Sequence, residues 1–133
     1  MKRPSRSAPT SRPKRRASSI AIKRAYDKPS PQDGLRILID RLWPRGLSKA
    51  KLKIVAWPRE LRPSTDLRKW YGHEPARFAE FRRRYRVELA EHAKELGALR
   101  ALVSGRIATL ITATREVDLS HAAVMREVLL PTK

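Results

Sequence analysis

The chain has 133 residues, a formal net charge of +18 and no cysteine. The missing cysteines exclude a disulfide framework, a thiolate nucleophile and a cysteine-ligated zinc site. No apolar run reaches the ~18–20 residues of a membrane span, and no apolar signal segment follows the basic N-terminus, so we expect a cytoplasmic protein without a membrane partner.

Residues 1–19 differ in composition from the rest of the chain. They contain seven lysines and arginines, three prolines and five serines, and no acidic residue. Such a segment cannot bury enough apolar area to offset the ~1–2 kcal/mol per residue that ordering a backbone costs. We therefore expect a disordered basic tail over residues 1–19 and a single α/β domain over residues 20–133. The tail supplies +7 of the net charge, which makes nonspecific nucleic acid a candidate partner.

Four segments of the domain have the apolar patterns of strands. Residues 20–26 alternate apolar and polar side chains at their end, and residues 36–41 follow a turn-rich loop. Residues 53–57 indicate a third, short strand. The β-branched run 107–112 predicts a buried strand near the end of the chain.

Helices are predicted between the third and fourth of these segments. Ser64 is placed to cap a helix that Gly72 ends. A longer helix begins near Glu74, and its apolar residues recur at three- and four-residue steps, at Phe78, Phe81, Tyr85, Leu89 and Ala93. Its opposite face carries arginines and glutamates, which is typical of a solvated surface with paired charges.

Two further helices complete the pattern. One continues over residues 96–103 after a break at Gly97, and the last covers residues 120–130, where Pro131 stops it. Strands separated by helices predict an α/β fold. The expected architecture is a small, mostly parallel sheet of about three to five strands, flanked by helices.

The most informative motif is Asp-Arg-Leu-Trp-Pro-Arg-Gly at residues 40–46, directly after the second predicted strand. In open α/β sheets, ligands bind in the crevice beyond the carboxyl ends of the strands. The motif therefore marks the candidate site, although it does not name a reaction.

Three arginines are the main candidate ligand-binding residues. Arg41, Arg45 and Arg68 carry planar donor forks that suit a carboxylate or a phosphate. The helix start at Ser64 adds backbone N–H groups and a favourable dipole. The sequence thus predicts a small anionic ligand at the end of the second strand.

Asp40 is a candidate catalytic residue with two roles open to it. It suits a general base, or a partner that orients one of the arginines. The alternative is an internal ion pair with Arg41 or Arg36 that only secures the loop. Trp43 is a candidate for stacking on the ligand, but Trp43 and Trp57 more often fill a core or cover a loop.

Two histidines are candidates for proton transfer near the site. His121 opens the last helix and is the second candidate catalytic residue, while His73 follows Gly72 and is a candidate ligand contact. A hydrogen-bonded structural histidine is the alternative for both. No metal-ligand spacing connects these histidines with Asp40, so we predict no metal site, and no motif indicates a cofactor.

The same motifs resemble those of a known family. Residues 22–130 resemble the YeaO-like proteins, small bacterial domains of unknown function. The resemblance rests on Trp57 and on residues 23–27, 33–34, 36–46, 63–68, 72–73 and 81–85. It implies a compact α/β domain and no established reaction. The chain departs from the family pattern at residues 111–116 and 119–122, which lack the family's tyrosine and its His-Asn pair.

Two functions remain open on the sequence. One is an anion-binding domain, for which an enzyme acting on a small phosphorylated or carboxylated substrate is one form. The other is a basic protein that associates nonspecifically with nucleic acid through its tail. No glycine-rich phosphate loop, helix-turn-helix or RNA-stacking signature is present. The mixed polar groups at residues 40–46 favour the first function.

Overall fold

The computed structural model describes residues 19–130, which are built on a three-stranded parallel sheet. Strands β1 (Ser19–Arg24) and β2 (Leu35–Leu38) lie at its edges, and β3 (Ile107–Thr112) lies between them. The predicted α/β fold with a small parallel sheet is confirmed. Apart from Ser19, which begins β1, the predicted tail lies outside the described residues.

The helices of the described residues run in chain order beside this sheet. They are α1 (Lys49–Leu52), α2 (Thr65–Tyr71), α3 (Phe78–Ala90), α4 (Ala93–Val103) and α5 (His121–Leu129). Ser64 accepts a hydrogen bond from the Leu67 N–H at 3.1 Å, and Gly72 ends α2 in a left-handed conformation, as the sequence predicts. No helix within residues 19–130 is long and apolar enough to cross a membrane.

The main core lies between one face of the sheet and helices α2 to α5. In parallel strands alternate side chains point to the same face, so Ile20, Ile37 and Leu110 all reach this core. The strand patterns and the helix stripe predict that six residues are largely buried, and all six are 2% exposed or less: Ile37, Ile39, Phe81, Tyr85, Leu89 and Leu110. The predicted apolar stripe of α3 is thus confirmed as far as Leu89.

A smaller core covers the opposite face of the sheet. It contains Ala25, Leu38, Leu52 and Ile111, and the connection between β2 and α2 lies over it. Trp43, Leu47, Ile54 and Trp57 pack against this cluster. Burial on both faces explains why β2 and β3 are nearly continuous in apolar residues.

The prediction of a third strand over residues 53–57 is wrong. Only an isolated bridge between Ile37 and Ala56 forms there, with the Leu38 N–H donating to the Ala56 carbonyl at 3.0 Å. Lys53 ends α1 in a left-handed conformation, and Pro58 follows closely, so the backbone has no room for an extended run. The segment instead protects the outer edge of β2.

The predicted helix break at Gly97 is also misplaced. The chain leaves the helical conformation at His92, between α3 and α4, and α4 runs through Gly97 without interruption. Gly97 faces open space, so its cost in a helix is only the ~1 kcal/mol of backbone entropy. Ala93 consequently begins α4, where it is exposed, and does not extend the stripe of α3.

A buried ion cluster precedes β2. The Asp33 carboxylate accepts hydrogen bonds from Lys23 Nζ at 3.0 Å, Arg36 Nη1 at 2.6 Å and the Ser30 N–H at 2.9 Å. Burial by itself raises the pKa of Asp33, but the Ser30 N–H and the two cations outweigh it and hold that pKa below its usual value. The cluster ties β1 and β2 together on the side of the smaller core.

Gly34, between this cluster and β2, has a positive φ of 63°. A Cβ at this position would lie 2.1 Å from the Ile107 carbonyl oxygen. Only glycine therefore allows the chain to approach β3 here.

The outer face of α3 carries paired charges, as the sequence predicts. Arg83 and Arg84 donate to Glu80, while Arg82 and Arg86 donate to Glu127. The two guanidiniums of Arg83 and Arg84 lower the pKa of Glu80 to about 2. Each of these arginines therefore has a carboxylate partner within the chain, although two arginines share each glutamate.

Candidate functional site

Asp40 lies at the carboxyl edge of the sheet, where β2 and β3 end. The Ile39 N–H still bonds to the Ile111 carbonyl at 3.1 Å, which brings the next residue beside the end of β3. The Asp40 carboxylate accepts hydrogen bonds from Thr112 Oγ1 and from the Ala113 N–H, both at 2.7 Å. The end of β3 thus fixes the position of this carboxylate.

His121 is the third partner of Asp40. It is the first residue of α5, directly after the N-cap Ser120, and its Nε2 lies 2.9 Å from Asp40 Oδ1. The two side chains are 19% and 15% exposed, so the pair is mostly shielded from solvent. Two residues that are 81 positions apart in sequence therefore form one polar pair.

The charge state of Asp40 fixes the tautomer of His121. Burial raises the pKa of Asp40, but the hydrogen bond and charge of His121, together with the Ala113 N–H and the Thr112 hydroxyl, hold it below its usual value. The carboxylate is therefore ionised at neutral pH and can only accept, so Nε2 carries the proton. Within residues 19–130, no group hydrogen-bonds to His121 Nδ1, which remains available to a ligand.

His121 also lines a cavity of about 280 Å³ between the ends of α2, β3 and α5, which we call the His121 cavity. Its wall consists of Pro63, Arg68, Lys69, Tyr71, Gly72, His73, Phe81, Thr114, Ser120 and His121. Four of these side chains are cationic or can become so. Among the described residues, no aspartate or glutamate lines it.

Three other cavities of the described residues contain acidic groups. The largest, about 540 Å³ between α2 and α3, includes Asp66 and Glu88. The others, of about 450 Å³ and 300 Å³, both include Glu60. The His121 cavity is therefore distinguished from these three by a wall that contains basic side chains and no acidic one.

The structure brings some of the predicted site residues together. Arg68, His73 and His121 line the same cavity. Asp40 does not line it, but hydrogen-bonds to Nε2 of His121. The predicted pairing of Asp40 with an arginine is wrong in this structure. Arg36, one of the partners considered for it, binds Asp33 instead.

Ser64 lies outside this group. Its N–H donates to Glu88 Oε1 at 2.8 Å, and its hydroxyl donates to Glu88 Oε2 at 2.6 Å. A carboxylate of the chain itself therefore occupies the helix start that we predicted for an external anion. Ser64 lines the cavities that contain Glu88, and not the His121 cavity.

The arginines of the 40–46 motif are also separate from the cavity. The exposed Arg45 contributes its backbone carbonyl to the Tyr26 hydroxyl at 3.0 Å. Arg41 is half-buried, and its Nε has no hydrogen-bond partner in the described part of the chain. Neither residue lines the His121 cavity.

Trp43 has a structural position. Its Nε1 donates to the Leu47 carbonyl at 2.6 Å, and its ring meets Trp57 edge-on at a centroid distance of 5.5 Å. Trp57 Nε1 in turn donates to the backbone carbonyl of Asp40 at 2.7 Å. Both tryptophans pack on the smaller core, which agrees with the alternative of core filling and not with stacking on a ligand.

Sequence reasoning missed Lys69, Thr114 and Ser120 as cavity residues. Lys69 follows Arg68 directly and could have been found as part of a basic pair in the last turn of a helix. Thr114 and Ser120 carry no local signal, because only the fold places the end of β3 beside the end of α2.

These features define a small parallel α/β protein with an Asp-His pair at the carboxyl edge of its sheet. The chain belongs to the family described as the inactive DUF488-N3 subclade, whose model matches residues 19–132. The resemblance to YeaO-like proteins is confirmed by the similarity of the chain to the uncharacterized protein YeaO of Escherichia coli (strain K12). It is 40% identical over 109 residues, which cover 82% of this chain and 95% of that protein.

A mycobacterial relative is similarly close. The uncharacterized protein Rv3073c of Mycobacterium tuberculosis (strain ATCC 25618 / H37Rv) is 42% identical over 114 residues. The match covers 86% of this chain and 96% of the relative. No solved structure matches the chain.

Proposed function

We propose that this protein binds a small anionic ligand, bearing a phosphate or a carboxylate, in the His121 cavity. The observation that carries the proposal is the charge of the cavity wall, which combines Arg68 and Lys69 with two histidines and contains no acid among the described residues. The proposal keeps the predicted class of ligand. Of the three predicted arginines it retains Arg68 and leaves out Arg41 and Arg45, which do not line the cavity.

Arg68 and Lys69 are available for an external anion. Within residues 19–130, no carboxylate forms an ion pair with either side chain, in contrast to the paired arginines of α3. A guanidinium presents two parallel N–H donors to a carboxylate or phosphate, and an ammonium adds a point charge. A competing explanation is that both cations only stabilise the negative end of the α2 dipole.

His121 adds a directed polar contact. Because Asp40 fixes the ring through Nε2, the position of Nδ1 is also fixed. Nδ1 accepts a hydrogen bond from a ligand hydroxyl when the ring is neutral and donates to an oxyanion when the ring is protonated. The pair thus orients a ligand that the cations attract.

Binding without turnover is favoured over catalysis. The Ser120 hydroxyl donates to the Val117 carbonyl at 2.7 Å and accepts from the Ala122 N–H at 3.1 Å, so it is committed to capping α5. It is therefore a poor nucleophile for His121 to activate. The description of the family as an inactive subclade supports the same choice.

The proposal is tested by titrating the full chain with inorganic phosphate and with acetate at low ionic strength. We expect saturable binding that Arg68→Gln weakens about ten- to hundredfold, because a charge-assisted hydrogen bond contributes about 1.5–3 kcal/mol. Lys51→Gln removes an equal charge from an exposed position of α1 and should leave the affinity unchanged.

Two results would contradict the proposal. Absence of saturable binding would remove the site altogether. Loss of binding in Arg45→Gln, with normal binding in Arg68→Gln, would return the site to the 40–46 motif.

A second candidate concerns residues 1–19 and rests on their seven basic residues and absent acids. We propose that this segment binds nucleic acid nonspecifically. Deleting residues 1–18, which removes all seven basic residues and leaves Ser19 in β1, should weaken duplex DNA binding and flatten the salt dependence, since each neutralised phosphate contributes about −0.9 to the slope of log K against log salt. An unchanged slope after deletion would contradict this role.

A further inference from the structure

We infer that the ligand of the His121 cavity carries a single apolar ring beside its anionic group, as in an aryl phosphate or an aryl carboxylate. This inference rests on the proposed function and specifies the body of the ligand. The observation behind it is that the cavity wall is divided between cationic and apolar side chains.

The apolar part of the wall is formed by Pro63, Tyr71 and Phe81, all of them buried residues. The Tyr71 hydroxyl donates to the Leu119 carbonyl, so only its ring remains to contact a ligand. The Tyr71 and Phe81 rings stack on each other, with their centroids 4.4 Å apart and their planes 19° apart. This half of the cavity offers no free polar group to a bare inorganic anion.

The size of the cavity agrees with a ligand of one ring. Its volume of about 280 Å³ is near the lower end of the ~300–1,000 Å³ range of small-molecule sites. A phosphate or acetate held by Arg68 and Lys69 would leave water against the apolar part of the cavity wall. A ring attached to the anion would displace that water and bury its own apolar surface.

The test compares ligands on the unchanged full chain by calorimetry. The pairs are phenyl phosphate with inorganic phosphate, and benzoate with acetate, and benzyl alcohol serves as the neutral ring. We expect each ring-bearing anion to bind at least about tenfold more tightly than its partner, because burying a ring contributes about 25 cal/mol per Å² of apolar area. Benzyl alcohol should show no saturable binding.

The outcomes separate this inference from the proposed function. Equal affinity within each pair would overturn the inference that the ligand carries a ring, and would leave the proposal of anion binding intact. Absence of binding for all four anions would overturn both. Tighter binding of the ring-bearing anions supports the inference only if it occurs at the cavity.

The location is checked by nuclear Overhauser contacts between the phenyl protons of phenyl phosphate and the protein. We expect contacts to the Tyr71 and Phe81 rings. Contacts confined to Trp43 or to residues 40–46 would overturn the inference.

Tyr71→Phe keeps the aromatic ring and removes the hydrogen bond to the Leu119 carbonyl, so the variant should keep the preference for phenyl phosphate. Loss of that preference in a folded Tyr71→Phe variant would also count against the inference.

Discussion

Two aspartates flank β2 and differ in what holds them. Asp33 precedes the strand and Asp40 follows it, and the pKa of each carboxyl lies below its usual value. Lys23 and Arg36 hold Asp33 through ion pairs at 3.0 Å and 2.6 Å. Asp40 is held by His121, whose second ring nitrogen has no partner in residues 19–130.

The difference separates a carboxylate whose partners all lie within the fold from one whose partner lines a cavity. The carboxylate oxygens of Asp33 accept hydrogen bonds from Lys23, Arg36 and the Ser30 N–H. No cavity described for residues 19–130 includes Asp33. Asp40 instead positions a side chain that reaches an open cavity. The proposed site therefore includes Asp40, whose partner His121 has a ring nitrogen without a hydrogen bond in residues 19–130, and does not include Asp33.

The largest effect should come from Asp33→Asn. The change leaves Lys23 and the buried Arg36 without a counter-charge, and breaking a buried pair in this way costs about 3–5 kcal/mol. Urea unfolding at pH 7 measures it, with Asp118→Asn as an exposed control. A loss below about 1 kcal/mol, the value of a surface pair, would contradict the structural role of Asp33.

A smaller loss of stability should follow Asp40→Asn, about 1–3 kcal/mol, because one buried hydrogen bond is impaired. The partner left behind is an imidazole ring, whose neutral form can still hydrogen-bond to an amide, unlike the two cations at Asp33. The same variant should bind anions more weakly, since the ring loses the carboxylate that fixes its tautomer. A variant that unfolds as readily as Asp33→Asn would remove the contrast between the two acids.

His121→Gln should have a smaller effect still on stability, below about 1 kcal/mol, because an amide can still donate to Asp40. It removes the free ring nitrogen, so anion affinity should fall about tenfold, corresponding to about 1.4 kcal/mol. Calorimetry and thermal melting on one sample separate the two effects. Unchanged affinity would show that His121 does not contact the ligand.

The smallest effect is a change in how the free energy of unfolding depends on pH in acid. Since folding lowers the pKa of Asp33 and Asp40, their stabilisation is present above the ordinary aspartate pKa of about 3.9 and is lost as pH falls through the folded values. Unfolding free energy should therefore decline below about pH 4. The decline should be shallower in Asp33→Asn, and identical slopes would contradict the pKa directions.

Local patterns predict much of the fold. The apolar runs of β1, β2 and β3, the stripe of α3 and the Ser64 cap depend on neighbouring residues, and each is found in the structure. The helix break was misplaced because a solvent-facing glycine is tolerated, whereas the turn at His92 has no sequence marker.

The site depends on contacts between distant residues and is therefore harder to predict. Residue type alone draws attention to Asp40 and His121 as candidates, but their pairing requires the end of β3 to lie between them. Glu88, which occupies the Ser64 helix start, lies 24 residues further along the chain. No local pattern in the sequence could connect either pair.

The most direct test is a titration of isotope-labelled full-length protein with inorganic phosphate, followed by backbone amide shifts. We expect saturable shifts at Lys69, Gly72, Thr114 and His121, which surround the cavity, and their loss in Arg68→Gln. Shifts confined to residues 41–46, or no saturable shifts at all, would contradict anion binding in the His121 cavity.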